Sequence, residues 1–147
     1  MFWKAPVNPV CATTTGLFSR YPVAGPEFQC RQCGACCLGR GGVRFSQSEA
    51  AAAALWLKIS VGELSRLYLA DGSPPWEIRT GPDNYCLFHQ LDGRCLIHAV
   101  KPRVCRDWPF LPGILAHESA FLDAKASCPG LAEELNWAEF RAAGGVE

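Results

Sequence analysis

The chain has 147 residues, 49% of them apolar, with five Trp and eight Phe, a composition that excludes general disorder and fits one domain with a core of its own. Fourteen Lys and Arg balance fourteen Asp and Glu, so no net charge draws the chain as a whole to nucleic acid. No apolar run has the length of a membrane span or a secretory leader, so the nine cysteines are expected in the reducing cytoplasm, where metal sites outrank disulfides.

Residues 1–27, punctuated by Pro, Thr and Gly, show neither helical nor strand period and read as an extended N-terminal arm. Cys11 lies in it without a neighbouring cysteine and reads as a stray thiol. The densest feature follows: Cys30, Cys33, Cys36 and Cys37, four cysteines in eight residues around Gly34. Thiolates so spaced on a tight loop converge on a metal, and soft sulfur selects zinc or iron-sulfur clusters. Adjacent side chains are expected to diverge, so that Cys36 and Cys37 serve different centres or one of them stays beside the centre without binding metal.

After a plain glycine turn at Gly39, Gly41 and Gly42, Ser46 with Glu49 and Ser60 with Glu63 spell two capping boxes. The first helix is expected through Ala50 to Leu57. The second ends near Asp71-Gly72, with Leu55, Leu64, Leu67 and Tyr68 in the core.

A near-repeat comes next, Cys86-Leu87-Phe88-His89 and Cys95-Leu96-Ile97-His98, around Asp92-Gly93. It predicts a β-hairpin with Gln90 opposite Cys95. Alternation then puts Cys86, Phe88, Cys95 and Ile97 on one face and both histidines on the other. His89, His98 and the isolated His117 are therefore not expected to bind metal. The same register separates Cys86 from Cys95 by roughly 13 Å, too far to share one mononuclear site.

The basic turn Lys101–Phe110 carries Cys105 between Arg103 and Arg106. Residues 30–44 and 94–106 together hold seven Lys and Arg and no acid, a setting that favours thiolates. Arg103 and Arg106 are expected to hold the Cys105 thiolate and donate to cluster sulfurs. Residues 114–126 read as a strand. Cys128-Pro129-Gly130 then leads to a last helix with Leu131, Leu135 and Ala138 on one side, and an acidic surface tail.

The run Cys30-x-x-Cys33-Gly34-x-Cys36-Cys37, with Cys86-Leu87-Phe88, Asp92-Gly93-x-Cys95-x-Ile97 and Lys101-Pro102-x-x-Cys105-Arg106-x-Trp108-Pro109, resembles the CxxCxxCC, or YkgJ-type, cysteine cluster family. The resemblance covers about Phe28 to Gly130 and implies a zinc- or iron-chelating domain. The chain departs from the family at Lys101, where arginine is usual, and at His98-Ala99, where a Tyr-containing pair is usual. Some longer relatives methylate flagellin lysines and carry an iron-sulfur centre; that activity does not transfer on the motif alone.

The expected ligand set is Cys30, Cys33, Cys36, Cys37, Cys86, Cys95, Cys105 and Cys128. Cys30, Cys33 and Cys36 have the spacing of three [4Fe-4S] ligands, and Cys128-Pro129 echoes the fourth. An iron-sulfur cluster thus stands ahead of zinc, although two zinc ions would use all eight sulfurs. No paired carboxylates or thiol–histidine couple marks a catalytic residue. The sequence predicts a small α+β domain of short helices and a hairpin organised around the metal, over 28–130, with 131–147 a C-terminal helix and tail. Three functions remain open: electron or metal transfer to an unidentified protein partner, a cluster-containing modification enzyme resembling a lysine N-methylase, and a zinc-stapled interaction module.

Overall fold

A computed structural model describes residues 24–25, 27–39 and 42–146. The expected arm up to residue 23, and Cys11 with it, lies outside the described residues. Among the described residues the fold is α+β: six short helices and pairs of two-residue antiparallel strands, joined by long turns. Among the described residues no helix is long and apolar enough to cross a membrane.

Strands β1 (Ala24–Gly25) and β2 (Phe28–Gln29) pair with each other. β2 also meets the segment after Cys128, through the Phe28–Leu131 bridge and the bond from Gln29 N–H to Gly130 O, 2.8 Å. A Cβ on Gly130 would collide with Gln29 O, so only glycine permits this approach. Strand β3 (Arg44–Phe45) pairs with β4 (Trp76–Glu77).

Helix α1 (Gln47–Leu57) and α2 (Val61–Tyr68) start in the two expected capping boxes, each serine hydroxyl accepting from the glutamate amide three residues on. α1 buries Ala50, Ala53 and Ala54, a small-residue stripe that lets its neighbours approach closely, and leaves Leu55 80% exposed. That corrects the expected core. The helix is apolar nearly all round, so its sequence cannot say which face turns inward. In α2 Leu64 is fully buried and Tyr68 half-buried against the same hydrophobic cluster, while Leu67 is 43% exposed. α2 also ends earlier than Asp71-Gly72, because Leu69 turns extended and pairs with Ile78, and Ala70 N–H bonds to Glu77 O.

Residues 114–126 form no strand. They lie in α4 (Pro112–Ala116) and α5 (Glu118–Ser127), which follow α3 (Arg103–Asp107). The buried positions Phe121, Ala124 and Cys128 have helical spacing, not alternation. The last helix is α6 (Trp137–Ala143), capped by Asn136 with Glu139 rather than starting at Leu131. Leu131 and Leu135 are buried but not helical, and Ala138 is exposed. The segment after Glu133 is no surface tail, since Phe140 is fully buried and stacks on Phe110.

Two hydrophobic clusters result. One joins Phe28, Phe110, Leu115, Phe121, Leu131, Leu135 and Phe140; the other joins Phe45, the α1 alanines, Leu64, Leu69, Ile78, Phe88 and Ile97. Cys30 packs against the first, and Cys86 and Cys95 pack against the second.

Candidate metal centre

The loop after β2 is shaped by Gly34, whose positive φ of 79° starts the 3-10 turn Ala35–Cys37. A Cβ there would lie 2.5 Å from His89 Nε2 and 2.9 Å from Gly93 O, so a glycine lets the 86–98 segment seat on the cysteine loop. The bond from Cys86 N–H to Cys37 O, 2.9 Å, and the Leu38–Tyr85 bridge fix the two segments side by side.

The chain does reverse at Asp92-Gly93, but one residue off the expected register. Gln90 N–H bonds to Arg94 O, His89 bridges Cys95, and Gly93 has φ 86°. A three-residue loop with glycine in the left-handed region has replaced the two-residue turn. Each Cys-x-x-His is itself a turn, closed by His89 N–H to Cys86 O, 2.8 Å, and His98 N–H to Cys95 O, 3.1 Å. Strand alternation therefore does not govern the histidines. Nor does it hold Cys86 and Cys95 apart, since the turn that closes on Cys86 O sets His89 opposite Cys95, and both thiols line one cavity.

All eight described cysteines line one cavity of about 160 Å³, and none is in a disulfide. Its walls also carry Phe28, Val43, Ile78, Phe88, Ile97 and Trp108. Among the described residues no three His, Cys, Asp or Glu side chains close on a single point, so the thiols ring the space rather than meet in it.

Five of them act on one another. The Cys36 and Cys37 thiols hydrogen-bond, contrary to the expected divergence, because the 3-10 turn brings them to the same side. That bond, against the opposing effect of burial and with help from the Lys101 ammonium, lowers Cys36 to about 6. The same bond raises Cys37, and burial adds to it. Burial pushes Cys95 up to about 11 and Cys105 up to about 12, with nearby thiols reinforcing both, and burial also raises Cys86. Without metal, Cys37, Cys86, Cys95 and Cys105 hold their protons while Cys36 loses its own near neutrality; a bound cation would replace the protons, since thiolates are the ligands.

Among the described residues two cations line the cavity, Arg31 and Lys101, and it is the Lys101 charge that reaches Cys36, Cys95 and Cys105. The structure places the two expected arginines elsewhere. Arg103 Nε bonds to Asp107 Oδ2 at 3.1 Å with its side chain 63% exposed, and Arg106 donates to Lys101 O at 3.1 Å and faces Glu49 at 4.0 Å. These contacts tie both side chains to the frame of α3, on which Cys105 sits, while the buried Arg106 Nε has no partner among the described residues.

Three contributors were not among the expected site residues. Glu49 closes the α1 capping box with Oε2 and accepts Arg103 N–H on Oε1 at 2.7 Å, supplying α3 with the cap it otherwise lacks. Trp108 lines the cavity, and among the described residues its buried indole N–H has no acceptor, a donor suited to a bound sulfur ligand. His98 also lines the cavity, held neutral by burial and then by Lys101, which lower it to about 4. The Cys-x-x-His spacing is the available clue for His98, and apparent strand alternation hides it.

The donor set fits a thiolate-bound metal: eight unbridged sulfurs, an orphaned donor and a compensating cation around one cavity. No solved structure matches the chain. The sequence comparison matches residues 29–129 to a family described as a "putative zinc- or iron-chelating domain". The thiols at the cavity are the cysteines of that matched region, and the chain belongs to the CxxCxxCC family.

Proposed function

We propose that this protein carries a cysteine-ligated metal centre, an iron-sulfur cluster ahead of zinc, and passes electrons or metal to a protein partner in a reducing compartment such as the cytoplasm. The observation that carries the reading is the collection of all eight described thiols around one cavity. A ring of sulfurs about 160 Å³ of space suits a polynuclear centre better than a lone ion. A single water needs only about 10–15 Å³ of such space. Cys33 and Cys36 are exposed, so one rim of the centre lies at the surface, where a partner can approach.

The cavity's position also favours a second reading, a structural staple. Cys30 belongs to one hydrophobic cluster and Cys86 and Cys95 to the other, so a shared metal would tie the two together. The deciding experiment is metal analysis with an absorption spectrum of anaerobically purified protein, followed by reduction. Iron with sulfide and reversible bleaching supports transfer. Stoichiometric zinc without redox activity supports the staple, and a metal-free protein that folds cooperatively sinks both.

A further inference from the structure

His98 is the one histidine lining the cavity among the described residues. It begins the short helix His98–Val100 directly after the Cys95–His98 turn, so its backbone position is fixed by the same reversal that places Cys95. Its Nε2 lies 3.5 Å from Cys30 Sγ and 3.4 Å from Lys101 Nζ. An ammonium has only donors, so Nε2 accepts and the ring proton sits on Nδ1. The one Nε2 lone pair thus lies on the side shared by Lys101 Nζ and Cys30 Sγ.

We infer that His98 Nε2 and the Cys30 thiolate bind the same metal, so that the centre is mixed nitrogen and sulfur rather than all sulfur. This rests on the reading of the cavity as a metal site. The geometry supplies the support. With zinc–sulfur bonds of about 2.3 Å and zinc–nitrogen bonds of about 2.0–2.1 Å, a tetrahedral site has an N···S edge of about 3.5–3.6 Å. The observed separation is 3.5 Å. An iron-sulfur centre also takes both ligand types, though on separate irons, since two histidines replace two cysteines on one iron of Rieske-type clusters.

Two further features agree. The pairing of β2 with residues 130–131 brings Cys128 beside Cys30 on the adjoining segment, offering a further sulfur at that side of the cavity. Lys101 stands next to the same nitrogen on a flexible four-carbon stem, so a more highly charged cation can displace its ammonium without moving backbone. A plain thiol–imidazole hydrogen bond has a similar length, and the experiment must separate the two.

The test is X-ray absorption at the edge of whichever metal the anaerobically purified protein retains. Imidazole outer-shell scattering is expected in the wild type. His98→Gln should abolish it and weaken retention against a chelator by at least about tenfold, the lower bound for losing even an outer-shell partner. His98→Cys should restore retention without the imidazole signal, and exposed His117→Gln should change neither. A wild-type spectrum with sulfur scatterers alone, or one that His98→Gln leaves unaltered, overturns this inference and leaves the metal reading standing. The wild-type spectrum decides even if the variant does not fold. A wild-type protein without metal overturns both.

Discussion

Replacing Glu49 by glutamine probes how the frame holds Cys105. The carboxylate uses both oxygens: Oε2 accepts from Ser46 N–H and Oγ–H at 2.8 Å each, and Oε1 accepts from Arg103 N–H at 2.7 Å. A carboxamide has one acceptor oxygen, so the substituted side chain can keep the α1 box or the α3 cap but not both. The matched control is Glu63, which makes the same box with Ser60 on α2 and, among the described residues, no bond to another element. Glu63→Gln should cost little, as glutamine is itself compatible with a capping box. Glu49→Gln additionally loses a hydrogen bond to a charged group, about 1.5–3 kcal/mol. At roughly 2–4 °C per kcal/mol, the metal-loaded Glu49→Gln protein should melt about 3–12 °C below Glu63→Gln. The gap should depend on pH. Burial works against the Glu49 charge, but bonds from Ser46 and Arg103, with Arg106, outweigh it and hold the carboxyl below the usual glutamate range. A depressed carboxyl stabilises the fold above its unfolded pKa, and the contribution disappears as pH falls through the folded value. The difference between wild type and Glu49→Gln should therefore close in acid. Equal melting of the two glutamine variants at neutral pH would refute the double cap.

Other expectations follow from the site. Gly34→Ala meets both a positive φ and the His89 ring, whereas Gly42→Ala meets positive φ in open space. Gly42→Ala should cost about 1–2 kcal/mol in a denaturant titration and Gly34→Ala clearly more, with lost metal; equal costs would show that the hairpin does not seat on Gly34. In metal-free, reduced protein, Cys36 is lowered to about 6 by Cys37 and, against burial, by Lys101, so its thiolate predominates at neutral pH and is lost below about 6. Peptide mapping after brief alkylation at pH 7 should find Cys36 ahead of Cys95 and Cys105, and Lys101→Gln should slow it; uniform labelling would count against this charge arrangement.

Local signals were legible where one short motif settles local structure. The capping boxes at Ser46 and Ser60 placed two helix starts, because the bonds involved span only three residues. The cysteine spacing identified a soft-metal site, because ligand chemistry is a property of residue type. The match over residues 29–129 agrees with that reading.

Tertiary structure decided what local pattern leaves degenerate. The all-apolar surface of α1 cannot announce that Ala50, Ala53 and Ala54 turn inward, because burial depends on the helix beside it. The 86–98 segment reads as alternating strand, yet its backbone closes two Cys-x-x-His turns and slips the hairpin by one residue, and Gly34 makes room for it. A one-residue slip changes which side chains share a face. That slip, with the turns, brings His98 to Cys30 and gathers Cys86 and Cys95 at one cavity. Arg103 and Arg106 stand out by their closeness in sequence to Cys105, while Lys101 supplies the charge. Residue type and spacing determined what kind of atom this protein can bind; contacts among segments distant in sequence decided which side chains face it.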